Sequence, residues 1–414
     1  MQRLQPDTFL ERIVDRSGLL TLTPSTSIAA AGLIWLITLA VTCYSVAAKP
    51  LERTVTTNYR VAAEAFWNQQ PMYSEGQHGW LYPPQGAVLY SLFEAIPSVA
   101  AGEVLWRIVI TSLFAFSLFR LGRVAMGSES QRFGDVAFLI LTLSSIALAA
   151  GCVRNGQMNL PLAALFILAC CDLGQKQWWR ATLWLCLALV VKPIALPMVM
   201  LAGALFPALW WRLPIGLFAV VLLPFINPNW TYVVEQYHAA LVKMKSAGEP
   251  GAGVFSDIVG MCQVFPFVGP GKSVPLNVDP FILTAVRGVA AVVTLGLAFL
   301  AKRRFGIVQG SLYLLLLGTG YLMLFNPRTE GNSYPMFVPM VGVMFAWALL
   351  IDKKLKSAAA LLVAIILFAA AHELYQHKLD SLWIRPLCTL LICGVASVQI
   401  VRARPPASAL FDKK

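Results

Sequence analysis

Three clusters of polar and ionisable residues interrupt the apolar stretches of this chain. They are Arg154-Asn155-Gly156-Gln157-Met158-Asn159, Lys192-Pro193, and Asn326-Pro327-Arg328-Thr329-Glu330-Gly331-Asn332-Ser333-Tyr334. Ionisable groups inside apolar stretches are costly, so each is by default a functional hypothesis. Arg154, Lys192 and Arg328 are anion-capturing groups, the arginines as planar forks and the lysine as a point charge. Asn155, Gln157, Asn159, Asn326, Asn332 and Tyr334 can hydrogen-bond a hydroxyl-rich ligand directionally. Glu330, two residues after Arg328, can accept a proton. Anion capture, hydroxyl recognition and a base together suit a group-transfer reaction. Each residue also has a plainer reading. Arg and Lys near helix ends can snorkel to headgroups. The amides can satisfy a backbone broken at Gly156, and Glu330 can simply neutralise Arg328.

The elements that position these residues are membrane helices. The chain has 414 residues, 58% hydrophobic and 13% charged, with mean hydropathy +0.69. This composition excludes an ordinary soluble domain. The apolar stretches are continuous, unlike the alternating strands of a barrel. The net charge of +12 fits basic loops on one membrane face, and no nucleic-acid-binding motif accompanies it. The eight cysteines form no CxxC pair and read as small buried hydrophobes. His372 and His377 make one HxxxxH spacing without an HExxH, so no metal site is assigned. Residues 1–25 carry no cleavable signal pattern. Leu4, Phe9, Leu10, Ile13 and Val14 could form one face of an interfacial helix, or the segment could be a solvated cytoplasmic tail.

The expected fold is an all-α polytopic bundle over residues 26–402, followed by a tail over 403–414. About twelve spans are expected, near 26–48, 102–122, 135–151, 159–172, 180–196, 197–211, 213–226, 281–301, 306–325, 333–351, 357–372 and 381–401. With both termini cytoplasmic, Arg120, Arg123, Arg132, Lys176, Arg180, Arg212, Lys302-Arg303-Arg304, the lysines at 353, 354 and 356, and the basic C-terminal tail all fall inside. That arrangement requires 86–100 to lie along the outer surface, as does a helix over 57–68. Two long outer segments result, 49–101 and 227–280, and long segments of this kind are often lids or binding elements. The three polar clusters fall on the same outer face.

Taken in order, Asn58-Tyr59-Arg60-Val61-Ala62-Ala63-Glu64-Ala65-Phe66-Trp67, Gln70-Pro71-Met72-Tyr73, Tyr82-Pro83-Pro84, Asn155-Gly156-Gln157-Met158-Asn159 and Lys192-Pro193 resemble the glycosyltransferase 87 family (the DUF2029 group). The likeness covers nearly the whole chain. It implies the GT-C fold, with surface-lying helices in the first outer loop. It also implies a sugar donor on a polyprenyl phosphate, an active site facing away from the cytoplasm, and inversion at the anomeric carbon. A bacterial inner-membrane location goes with this reading. The chain departs from the pattern at one place. The family typically has an acidic residue just before the Tyr-x-x-Ala-Ala-like helix, and here the neighbourhood reads Thr56-Thr57-Asn58-Tyr59.

Sugar transfer from a lipid phosphate requires a stabilised leaving phosphate and a base for the acceptor hydroxyl. Arg60, Arg107 and Arg287 join Arg154, Lys192 and Arg328 as candidate phosphate ligands. Glu330 leads as base. Glu103 follows; it also makes an i,i+4 pair with Arg107 that could be a buried salt bridge. Glu64, on the surface helix, is third, and Glu52 reads as solvated. Trp80, Tyr82 and Tyr59 could bind sugar or anchor the interface. The expected partners are a polyprenyl-phosphate sugar, a lipid or envelope-glycan acceptor and membrane lipids. No nucleotide cofactor is expected, and divalent-metal use is open. The rival readings are a lipid-linked sugar flippase or an inactive scaffold of an envelope-synthesis complex. Against the flippase, the sequence shows no internal repeat.

Overall fold

The computed structural model describes residues 23–74, 79–127, 131–248, 255–264, 278–376 and 382–403. The proposed interfacial helix before residue 23, His377 and the C-terminal tail beyond 403 lie outside the described residues. The protein is all-α, and no strand occurs among the described residues. Five helices are long and apolar enough to cross a membrane: α1 (Pro24–Ala48), α4 (Val99–Met126), α5 (Gln131–Asn155, apolar from Phe133), α12 (Pro280–Phe325) and α15 (Ile384–Arg402). Six shorter apolar helical stretches accompany them, including α6 (Asn159–Gly174), α7 (Trp178–Val191) and Pro193–Leu205.

The core centres on α6, where all residues from Asn159 to Gly174 are buried. A helix apolar on every side must be enclosed by others. Here α4, α7 and α12 pack around it, and its first turn meets the 3-10 segment Gly331–Met336. Its only acidic residue, Asp172, lies at the far end, bound by Arg120 at 2.8 Å and Arg180 at 3.3 Å. That end also holds the Arg123–Asp135 pair and the Lys302 and Arg304 contacts to the carbonyls of Leu205 and Ile400. Arg120, Arg123, Arg180, Lys302 and Arg304, five of the cationic residues expected to share one face, lie together at this end of the bundle.

The spans expected at 281–301 and 306–325 are the two legs of α12. Gly306, at φ 86°, ψ −179°, breaks the helix, a conformation open to glycine because it has no Cβ. The legs fold back on each other. A Cβ on Gly310 would lie 2.6 Å from the Lys302 backbone, and the Tyr321 hydroxyl donates to the Arg287 carbonyl at 3.3 Å. The span expected at 333–351 starts later. Residues 331–336 form a 3-10 segment around Pro335, and α13 (Val338–Ala346) follows, ending in a π-helical turn at Trp347–Ile351.

The first outer segment contains α2 (Thr56–Trp67) and α3 (Pro84–Glu94). The second expected surface helix is shorter than 86–100, because α4 already begins at Val99, capped by Ser98. The second outer segment, read from sequence as loop, contains the 19-residue α10 (Trp230–Gly248) and the short α11 (Ile258–Val264). α10 is sewn to the first segment by side-chain bonds to backbone. Tyr232 donates to the Gln70 carbonyl (2.7 Å), Lys243 donates to the Ser74 carbonyl (2.7 Å), and Gln236 accepts from the Met72 amide (3.2 Å). Just before the helix, Asn227 donates to the Phe66 carbonyl (2.9 Å).

Candidate active site

At the end opposite the Asp172 cluster, a cavity of about 650 Å³ opens between the two outer segments and the helix ends. The first segment supplies Asn58, Tyr59 and Tyr82. The turn between α5 and α6 supplies Gln157 and Asn159, and the break after α7 supplies Lys192. The loop after α12 supplies Asn326, Arg328 and Glu330, and Met244 and Phe255 come from the second segment. Eight predicted site residues from distant parts of the chain thus line one cavity. Glu330 is the only carboxylate among the described residues lining it. Asn58, where the resemblance implies an acid, faces the same space.

The remaining predicted residues lie elsewhere. Glu103 and Arg107 are fully inaccessible and build the platform behind the cavity. One Glu103 oxygen accepts from the Arg60 Nε and the Tyr90 hydroxyl, both at 2.9 Å. The other accepts from Thr56 at 2.6 Å and from the Arg107 guanidinium. Arg107 also donates to Thr54 (2.8 Å) and to the Arg154 carbonyl (3.2 Å). This carboxylate is enclosed by four donors, so Glu103 and Arg107 form the buried salt bridge, and Arg60 is its second cation. Glu64 and Arg154 are exposed and do not line the cavity. Asn155 contributes its carbonyl, which accepts from the Val55 amide (3.1 Å) and the Thr54 hydroxyl (3.0 Å). Tyr334 is buried, donates to the Ser256 carbonyl (2.9 Å) and packs on Phe368.

The turn between α5 and α6 has a local cause. Gly156 adopts φ +66°, and a Cβ there would lie 2.6 Å from Thr56 and 2.8 Å from the Arg107 guanidinium carbon. Glycine lets the chain reverse tightly enough to aim Gln157 and Asn159 inward. Its carbonyl accepts from Trp106 at 2.9 Å. The loop after α12 is held as firmly. Arg328 sits at φ +65°, which costs an L side chain about 1–2 kcal/mol. Beside it, Thr329 donates to the Asn326 carbonyl (3.1 Å), and its own carbonyl accepts from the Ser256 amide (2.8 Å). The Arg328 guanidinium lies over the Phe255 ring, 5.6 Å from its centroid. Gly331 leaves room for buried Arg385, whose Nη1 would be 2.2 Å from a Cβ there.

Inside the cavity, Lys192 Nζ donates to Asn159 Oδ1 at 2.8 Å. Asn159 Nδ2 donates to Asn332 Oδ1 at 2.8 Å, and Asn332 Nδ2 donates to Glu330 Oε2 at 2.7 Å. Asn332 is therefore a partner of two wall residues rather than part of the lining. The aromatic wall is neutral. Burial pushes the Tyr59 hydroxyl well above its ordinary range. Burial, helped by the Glu330 charge and opposed by the Tyr59 hydroxyl, raises Tyr82 to about 12. The two hydroxyls lie 3.2 Å apart and serve as hydrogen-bonding groups at neutral pH. Among the described residues, no three of His, Cys, Asp and Glu gather as a metal-holding group.

Sequence reasoning missed Thr54, Thr56, Tyr90, Met244, Phe255 and Arg385. A lone arginine at the start of the last apolar stretch signalled Arg385. Nothing in the local sequence distinguished the others.

The fold and site define a multi-pass helical membrane protein with cations, amides and one carboxylate gathered in a cavity at one end of its bundle. The chain belongs to glycosyltransferase family 87, whose model matches residues 80–327, and is a membrane glycosyltransferase. Comparison with curated proteins finds no match. Two solved structures are similar in overall course. ArnT from Cupriavidus metallidurans in the apo state shares 12% identity, with TM-score 0.37, over 94% of this chain and 78% of that one. The same ArnT bound to undecaprenyl phosphate shares 13%, with TM-score 0.39, over 92% and 77%. A likeness this loose carries no argument, so the function rests on the family and on the site itself.

Proposed function

We propose that this protein transfers a sugar, hexose or pentose, from a polyprenyl-phosphate donor to a lipid or envelope-glycan acceptor. The reaction takes place at the extracytoplasmic face of the bacterial inner membrane, with both chain termini in the cytoplasm. The observation that carries this reading is a single cavity that joins two cations, Lys192 and Arg328, to one carboxylate, Glu330. The basic residues gathered at the opposite end of the bundle support this orientation, since such residues favour the cytoplasmic side.

In the proposed step, Glu330 takes the proton of the acceptor hydroxyl as its oxygen attacks the anomeric carbon. The bond from that carbon to the phosphate oxygen breaks, and its electron pair leaves on the lipid phosphate. Attack opposite the leaving group inverts the anomeric configuration. Lys192 and Arg328 stabilise the charge that accumulates on the phosphate, where fixed cations act most strongly. Gln157 and Asn326 bind sugar hydroxyls, and Tyr59, Tyr82 and Phe255 offer apolar ring faces. Asn58 cannot accept a proton at neutral pH, so the base has moved from the first outer segment to the loop after α12.

The test is purified protein with radiolabelled polyprenyl-phosphate sugars and an envelope-lipid extract. Label should move to an acceptor in the wild type and fail to move in Glu330→Gln. Undiminished transfer in that variant would remove Glu330 as base. Movement of intact donor across a bilayer without bond cleavage would replace the transferase reading with a flippase.

A further inference from the structure

The cation and the carboxylate of the cavity are joined by an unbroken chain of three hydrogen bonds. Lys192 donates to Asn159 (2.8 Å), Asn159 to Asn332 (2.8 Å), and Asn332 to Glu330 (2.7 Å). The end groups dictate the direction. An ammonium can only donate and a carboxylate can only accept, so each amide must present its oxygen toward Lys192 and its nitrogen toward Glu330. Both amide dipoles then point the same way, and each bond polarises the next. Backbone geometry supports the arrangement. Asn159 is buried and begins α6, and its amide nitrogen also reaches the Asn332 carbonyl at 3.3 Å. Asn332 is held in the 3-10 segment that packs on that same helix turn.

Both amides are therefore engaged within the protein, which changes what they can do. A side chain that spends its donor and acceptor on neighbours is poorly placed to read a sugar. We propose that Asn159 and Asn332 are positioning residues that connect Lys192 to Glu330, so that an anionic lipid phosphate arriving at Lys192 raises the proton affinity of Glu330. Without phosphate, the ammonium feeds the chain and Asn332 presents a polarised donor to the carboxylate. When phosphate draws Lys192 to itself, Asn159 loses its donor and Asn332 becomes a weaker one. Glu330 then becomes a stronger base at the moment the donor is in place. Donor binding and acceptor activation are thus coupled within the cavity.

Other groups face Glu330 and set the background. Its charge is felt at Lys192, at Tyr82 from the first outer segment and at Cys152 from α5. Arg385 from α15 approaches the adjacent Gly331, and Arg328 lies two residues earlier in the same loop. Lys192 itself starts the hydrogen-bond chain, and its charge acts on Glu330 through space as well, so cutting the chain at Asn159 removes the relayed part and leaves the direct one.

The proposal rests on Glu330 as base for its catalytic meaning, but its test needs no turnover. Protein in nanodiscs is titrated by difference infrared spectroscopy, and the Glu330 carboxyl band is identified by its absence in Glu330→Gln. In the wild type, adding undecaprenyl phosphate should move the titration midpoint upward by about one pH unit. In Asn159→Ala the midpoint should already be raised without the probe, and the probe-induced shift should shrink to the part that the phosphate and Lys192 charges exert directly through space. Asn159→Asp, nearly isosteric, keeps a partner for Lys192 but cannot donate onward when ionised, and it should also titrate high. Wild-type midpoints in either variant, or a full probe-induced shift in Asn159→Ala, would overturn the coupling. If transfer survives in Glu330→Gln, the base assignment falls while the titration result stands. Unmoved midpoints alongside transfer lost in Glu330→Gln remove only the relay.

Discussion

Replacing Glu103 tests whether the platform behind the cavity is structural rather than catalytic. Glu103 and Arg107 have no solvent-accessible side-chain surface, and the carboxylate also receives Arg60, Thr56 and Tyr90. Glu103→Ala leaves the Arg107 charge buried without its counter-charge. Breaking one side of a buried pair costs roughly 3–5 kcal/mol. The Tyr90 hydroxyl loses its acceptor, which adds about 1 kcal/mol, whereas Thr56 keeps Thr54 at 2.8 Å. Arg60, with 14% of its side chain exposed, can turn toward water and lose less. Glu103→Leu combined with Arg107→Met removes both charges at similar volume and should cost less than Glu103→Ala alone. Thermal melting in detergent measures this. Glu103→Ala should melt many degrees below wild type, with the double variant between them. Glu103→Gln, which keeps its shape and part of its hydrogen bonding, should retain the wild-type KM for donor in whatever protein folds. A Glu103→Ala protein melting with wild type, or a double variant less stable than Glu103→Ala, would refute the structural assignment. Selective loss of turnover in a normally stable Glu103→Gln would return it to the catalytic list.

Glu330→Gln should lower transfer by at least about a hundredfold, the contribution expected of a positioned base, with little change in melting temperature, because its side chain is exposed to the cavity. Lys192→Met should weaken undecaprenyl phosphate binding about tenfold or more, measured by displacement of a fluorescent lipid phosphate, since a charged hydrogen bond is lost. Gly156→Ala should destabilise the protein by about 1–3 kcal/mol in a detergent melt, because the new Cβ meets Thr56 and Arg107 at 2.6 and 2.8 Å. Stability should hold steady up to about pH 10 and fall as pH rises toward about 12. Over that range the unfolded Tyr82 ionises while the buried one, raised to about 12, keeps its proton. Tyr82→Phe should flatten that limb of the stability profile.

The spans were legible because burying a backbone in lipid demands long apolar helices, and their composition carries that demand locally. The break between the two legs of α12 was visible as the Lys302-Arg303-Arg304 run, and the turn at Gly156 and the special character of Asn326–Tyr334 as Gly, Pro and polar interruptions. The helix α10 was less visible. Its segment is rich in Gly, Pro and aromatics on both flanks, and three of its polar residues, Tyr232, Gln236 and Lys243, bond the first outer segment, a partner no local pattern reveals. In sequence Glu330 ranked ahead of Glu103, but each was a carboxylate near an arginine and the Glu103–Arg107 salt bridge was only one of two readings. Four donors converging from α2, α3 and α4 separate them. Asn159 and Asn332, 173 positions apart, could be read only as two free amides.

Taken alone, the sequence determined that this is a polytopic helical membrane protein, how its cationic residues divide between the two ends of the bundle, and which chemical groups it places near one end. Those properties follow from hydropathy and charge, which are summed residue by residue. The tertiary structure decided which of those groups share a cavity and which neutralise one another behind it. A side chain's role depends on what occupies its hydrogen-bonding positions, and for Glu103, Arg107, Asn159 and Asn332 those partners come from other helices or loops, or are reached only through the folded turn.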